Sequence, residues 1–249
     1  MSGAPEIIGT EGQNKGLDFI LTRKIDSQNT VHGIEARLNL ISQIGAGTNN
    51  KTTSVYLDGG DREPASSFLE NNGIKKDSLL IGLHPGAQKP FKCWPPERFV
   101  ELGRLLAGRF GCRIVVTGNR GEKPLADKIA SEIEGAVSAA GRLTLRETAA
   151  VIEKVNVFIT NDTGPMHIAF ALKIPTVALF SPTDPKLCGP CQAKGVVVIE
   201  KPKTCKPCIG KKCYNPACME QITPQEIVAA VETLLGKPNK DADSSELQT

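Results

Sequence analysis

Phe158-Ile159-Thr160-Asn161-Asp162-Thr163-Gly164-Pro165-Met166-His167-Ile168-Ala169 runs from an apolar, β-branched stretch through a polar turn into an apolar helical pattern. Asn156 to Thr160 reads as a strand and Asn161 to Gly164 as a tight turn. Met166, Ile168, Ala169 and Leu172 read as the apolar part of a helix. A strand feeding a helix directly puts the unpaired N–H groups of the first helical turn at the strand's end, where they and the helix dipole favour an anion. Asp162 and Thr163 are good capping types, Pro165 suits a first helical position, and Gly164 permits close backbone approach. His167 falls about half a turn into the helix, within reach of a phosphate at its mouth. The same letters also suit an ordinary capped helix with a buried histidine, so the surroundings decide.

The surroundings alternate. Strand-like runs recur at Leu79–Leu83, Arg113–Thr117, Ala136–Ala139, Val157–Thr160, Thr176–Phe180 and Val196–Ile199. Helical patterns at Pro96–Phe110, Glu122–Ile133, Leu145–Lys154 and Pro165–Leu172 separate the first five. Gly111, Gly118, Gly135 and Asn156 punctuate the junctions. This order implies βαβ units and a mostly parallel sheet, in which ligands bind beyond the carboxyl ends of the strands. The segments His84–Ala87, Thr117–Asn119 and Asn161–Gly164 all fall at such ends, so they are expected to face one crevice.

The order His84-Pro85-Gly86-Ala87, Lys92-x-Trp94-Pro95, Asp162-Thr163-Gly164-Pro165-Met166-His167-x-Ala169 and Ser181-Pro182-Thr183-Asp184-Pro185 resembles glycosyltransferase family nine, the ADP-heptose:lipopolysaccharide heptosyltransferases. The likeness runs from Leu17 to Leu235 and is weak before Ile44. It implies an α/β fold of GT-B type, with two facing Rossmann-like domains and the nucleotide held mainly by the second. The implied activity is transfer of heptose, with inversion, from an ADP-sugar donor to the lipopolysaccharide inner core. That acceptor implies possible peripheral contact with the inner membrane. No cofactor is expected.

Residues 1-60 read as a remnant of the N-terminal, acceptor-side domain with a linker, 61-235 as the donor-nucleotide domain, and 236-249 as a polar, disordered tail. Within the remnant, Gly33–Ile44 is expected to form an amphipathic helix through Ile34, Leu38, Ile41 and Ile44. Val55–Leu57 reads as a strand and Asp61–Asn71 as a helix capped by Asp61. No early strand followed by a Gly-rich turn of the I-G-D type is legible. The chain is therefore expected to be a donor-binding fragment. In the resembled family the general base is an aspartate just after the first strand, and neither Asp18 nor Asp26 stands in that context, so no catalytic base is assigned.

The resemblance gives each donor-side residue a role. Lys92 would reach the donor's phosphates, where charge develops as the glycosidic bond breaks. Glu122 would hold the nucleoside; a Glu in a first helical turn is equally served by the dipole alone. Leu143 would lie beside adenine, although a core leucine would look the same. Asp162 would bond sugar hydroxyls, the amides of Thr163 and Gly164 would take a phosphate, and His167 would support it. His84 reads as fixing the loop after its strand instead of acting as a base.

Composition narrows the remaining classes. A net charge of +3 and 4% aromatic residues argue against nucleic acid. No apolar stretch approaches the ~20 residues that span a bilayer. Met1 to Lys15 lacks the apolar core of a signal peptide, and a cytoplasmic location follows as the default. There is no G-x-G-x-x-G after a strand and no P-loop motif. Eight cysteines include Cys205-x2-Cys208-x4-Cys213-x4-Cys218, preceded by Cys188-x2-Cys191. Such spacing suits zinc or an iron–sulfur cluster, and reduced, packed thiols would look the same. The alternative to a transferase is thus a Cys-rich zinc or iron–sulfur binding α/β module, though no metal ligand is assigned. Asp241-x-Asp243, nominally a metal motif of other glycosyltransferases, lies in the tail with no strand before it and is given no role.

Overall fold

The computed structural model describes residues 3–26, 31–205, 208, 213 and 216–236. Apart from Gly236, the expected tail lies outside the described residues, and Asp241-x-Asp243 lies there with it. The chain divides into two compact units, Met1–Thr52 with Asp184–Gln192, and Thr53–Thr183 with Ala193–Thr249.

In the first unit β1 (Ile8–Thr10) pairs in parallel with β2 (Arg23–Ile25). An early strand is therefore present, contrary to the sequence expectation, and it runs into a Glu11-Gly12 turn in which Gly12 has φ +76°. The Asp18 carboxylate closes that turn, accepting from Asn14 Nδ2 at 2.5 Å and from the Gly12 N–H at 2.8 Å. Those bonds, the Asn14 one foremost, hold Asp18 below the usual carboxylate range. The helix expected at Gly33–Ile44 is α1 (Gly33–Ser42), and His32 Nδ1 caps it by accepting from the Ile34 N–H at 3.2 Å.

The second unit holds α2 (Gly59–Asn71), β3 (Leu80–His84), α3 (Pro96–Phe110), β4 (Arg113–Val116), α4 (Lys123–Ser131), β5 (Val137–Ser138) and α5 (Leu145–Glu153). It continues with β6 (Val157–Asn161), α6 (Gly164–Ala171) and β7 (Thr176–Phe180). After α7 (Pro185–Cys188), which belongs to the first unit, come β8 (Val196–Glu200), α8 (Ala217–Glu220) and α9 (Pro224–Leu235). The N-cap of α2 is Asp58, with Asp61 as its N3 partner; each carboxylate accepts the other's N–H, at 3.2 and 2.9 Å. Asp61 was expected as the cap because both are aspartates before a helical run. Only Asp58 has the extended backbone that a cap requires. Val55–Leu57 is no strand: it buries Leu57 and exposes Tyr56, with no ladder partner among the described residues.

All six strands of the large sheet are parallel, in the order β5-β4-β3-β6-β7-β8. Both faces are covered, so side chains on either side of each strand are apolar. Ile81, Leu83, Ile114, Val116, Val157, Ile159, Val177 and Leu179 enter one core with residues of α3, α4 and α9. Leu80, Val115 and Phe158 enter the other, with residues of α2, α5 and α6. Fully burying one such side chain stabilises by about 1.5–3 kcal/mol, so the two cores carry most of the fold. Gly82 lies in β3 under the Phe158 ring; a Cβ there would come within 2.6 Å of it.

The strand order has a functional consequence. β3 and β6 are neighbours, but the chain leaves β3 for α3 in one core and leaves β6 for α6 in the other. Connections that part to opposite faces open a crevice beyond the carboxyl ends of those two strands, the switch point of a doubly wound sheet.

Candidate donor-nucleotide site

Two loops border the crevice: His84-Pro85-Gly86-Ala87 after β3, and Asp162-Thr163 between β6 and α6. A third segment is fixed beside them by burial. Phe91 and Trp94 are 6% and 1% exposed, Trp94 packs edge-on to Phe99 at 4.9 Å, and its Nε1 donates to the Ile222 carbonyl at 3.0 Å. Lys92 lies between these two anchors, at the end of the tight turn Pro90–Lys92. Its Nζ stands 2.5 Å from Asp162 Oδ2. Thr183, just past β7, donates its hydroxyl to the same oxygen at 2.7 Å. The Lys92 side chain is 22% exposed and that of Asp162 only 5%, so solvent reaches this pair from the lysine side.

Asn161, wholly buried at the end of β6, joins the loops. Its Oδ1 accepts from the Trp94 N–H at 3.1 Å, and its Nδ2 donates to the Pro85 carbonyl at 2.8 Å. A buried polar group must be bonded, and here the bonds set the spacing of three site segments with one side chain. Neither Asn161 nor Thr183 was singled out from the sequence as a site residue. The available signals were a polar residue closing an apolar strand and a hydroxyl inside the S-P-T-D-P motif.

Glu122 sits after β4 in a reciprocal box with Asn119, whose N–H it accepts at 2.8 Å. Its carboxylate also lies against Gly86, where any Cβ would overlap it. The carboxylate thus caps the turn after β4 and stands beside the His84–Ala87 loop. Nearby, burial first and the Glu122 charge second push the Cys93 thiol up, which keeps it protonated and a poor nucleophile. Leu143 occupies the loop after β5, half-buried against the second core. Thr163 is the extended N-cap residue of α6, and a Cβ on Gly164 would meet no heavy atom within 4 Å. His167 is exposed, its ring edge-on to Phe170 at 6.0 Å, and so is not the buried histidine that a purely structural helix would have.

His84 is buried, with Nδ1 3.0 Å from Thr117 Oγ1. The Thr117 hydroxyl donates to the Leu83 carbonyl at 3.2 Å, leaving a lone pair for a His84 Nδ1–H. Burial pushes the His84 pKa down to about 4. The ring is neutral near pH 7 and pins the ends of β3 and β4 together.

The family model for glycosyltransferase family 9 (heptosyltransferase) matches residues 1–219. Lipooligosaccharide heptosyltransferase 2 of Haemophilus influenzae is 29% identical over 142 residues, 55% of this chain and 41% of that protein. A solved family 9 glycosyl transferase from Veillonella parvula superposes with a TM-score of 0.77 at 28% identity, over 88% of this chain and 64% of that one. The E. coli heptosyltransferase WaaC solved with ADP shares the fold, with a TM-score of 0.61 at 22% identity over 86% of this chain and 60% of that one. The chain spans about half the length of the curated relatives it matches. Among the described residues no helix is long and apolar enough to cross a membrane.

Proposed function

Because the chain belongs to glycosyltransferase family 9, we propose that its second unit holds the ADP moiety of an ADP-sugar donor for heptosyl transfer to a lipopolysaccharide core. The observation that carries this reading is the Lys92–Asp162–Thr183 cluster at the switch point, where a cation, a carboxylate and the mouth of α6 meet. Lys92 and the N–H groups of Thr163 and Gly164 would take the diphosphate, with His167 beside them. Asp162 would accept from donor-sugar hydroxyls, Glu122 from the ribose, and Leu143 would pack on the base.

In the reaction an acceptor hydroxyl oxygen bonds to the anomeric carbon while the bond from that carbon to the phosphate oxygen breaks. The departing ADP keeps the electron pair, and its growing charge is what Lys92 is placed to offset. The hydroxyl proton leaves toward a base on the opposite face, as inversion demands. An acceptor embedded in lipopolysaccharide would bring the protein to the inner membrane face, in the cytoplasm where nucleotide sugars are made.

Calorimetry with ADP, UDP and GDP tests the donor assignment. ADP binding well above the other two is expected. Equal affinity for all three, or none, overturns it.

A further inference from the structure

Asp162 Oδ2 accepts from two side chains at once, the Lys92 ammonium at 2.5 Å and the Thr183 hydroxyl at 2.7 Å. The two differ in how readily they can leave. Lys92 reaches in from the solvent side on a long, flexible stem. Thr183 has a stiff, β-branched side chain, and it follows closely on the end of β7, where Phe180 and Ser181 are both buried. The carboxylate between them is almost wholly buried, so removing one hydrogen bond without replacement would leave a buried charge poorly satisfied.

We propose that Thr183 is a positioning residue for Asp162, holding Oδ2 in place while Lys92 exchanges that oxygen for the diphosphate of the sugar nucleotide. The inference rests on the function proposed above. A carboxylate oxygen offers about two lone-pair sites. Lys92 and Thr183 together fill those of Oδ2. A diphosphate that draws Lys92 away opens one of them, and a hydroxyl of the attached sugar takes it. Thr183 keeps the other, so the oxygen holds its position instead of turning with its departing partner. Sugar recognition at Oδ2 is then conditional on arrival of the diphosphate, because a free sugar meets an oxygen already occupied. Lys92 serves the phosphates, whereas Thr183 serves the sugar through Asp162 without touching it.

Calorimetry of Thr183→Val and Thr183→Ser with ADP and with ADP-heptose tests this, alongside thermal melts of each variant. Valine keeps the branched shape and removes the hydroxyl, and serine restores it. Thr183→Val should bind ADP within about twofold of the parent and ADP-heptose about fivefold more weakly, as expected for one misaligned hydrogen bond. Thr183→Ser should recover most of that loss. Where Thr183→Val does not fold, Thr183→Ala also lacks the hydroxyl and gives the same comparison. An unchanged ADP-heptose affinity in the variant without the hydroxyl, a loss that ADP shares in full, or no recovery with serine would each overturn the positioning role. A parent chain that binds ADP no better than UDP or GDP removes the nucleotide assignment itself, and this role with it.

Discussion

Replacing Lys92 with Ala should weaken ADP binding about 12- to 30-fold. A charge-assisted hydrogen bond contributes about 1.5–3 kcal/mol net. Lys92 does not wait unpaired, however: Asp162 Oδ2 already holds its Nζ at 2.5 Å. A diphosphate must share or displace that contact, which places the expected loss in the lower half of the range, about 1.5–2 kcal/mol. Asp162→Asn gives the opposite sign for ADP alone, since it frees Lys92 and removes an anion beside the phosphates. The asparagine oxygen still accepts from Thr183, so the loop keeps that tether. Calorimetry at fixed salt, with thermal melts of each variant, reads both effects. A Lys92→Ala protein that melts like the parent and binds ADP within about twofold of it would refute the placing of phosphate at Lys92.

Asn161→Ala should cost about 2–4 kcal/mol of stability, because it strands the buried Trp94 N–H and Pro85 carbonyl; a urea midpoint indistinguishable from the parent's would remove Asn161 from its joining role. His84 predicts a pH dependence. Its folded pKa of about 4 lies below the ordinary 6.5, so the unfolded chain binds the proton that the folded one refuses. Stability is then full above pH 6.5 and falls toward pH 4 by about 3 kcal/mol, which His84→Gln should largely abolish. Parallel pH profiles of the two proteins in urea unfolding would contradict this.

The alternation of strands and helices was legible because both faces of the sheet are covered: runs such as Val177–Phe180 are apolar throughout and have sharp edges. Pro96 and Gly111 likewise mark the two ends of α3. Val55–Leu57 misled because burying Leu57 and exposing Tyr56 reproduces a strand's two-residue period, and whether a ladder partner exists is a tertiary matter. The convergence of H-P-G-A and N-D-T-G followed from their positions at strand ends. That β3 and β6 are adjacent did not, since strand order is a property of the packed sheet. Lys92 was legible as a residue, whereas its pairing with Asp162 across 70 positions was not.

Trp94 has one further consequence. It is the chain's single tryptophan, and it is buried two residues from Lys92 with its backbone tied to Asn161. The protein thus carries a built-in optical reporter whose emission belongs wholly to the second unit. Fluorescence would follow the loosening of that unit, or the settling of a ligand near Lys92, without any label. Melting of the Met1–Thr52 unit would pass unseen at the same wavelengths, so a difference between fluorescence and circular dichroism would separate the two units in an unmodified chain.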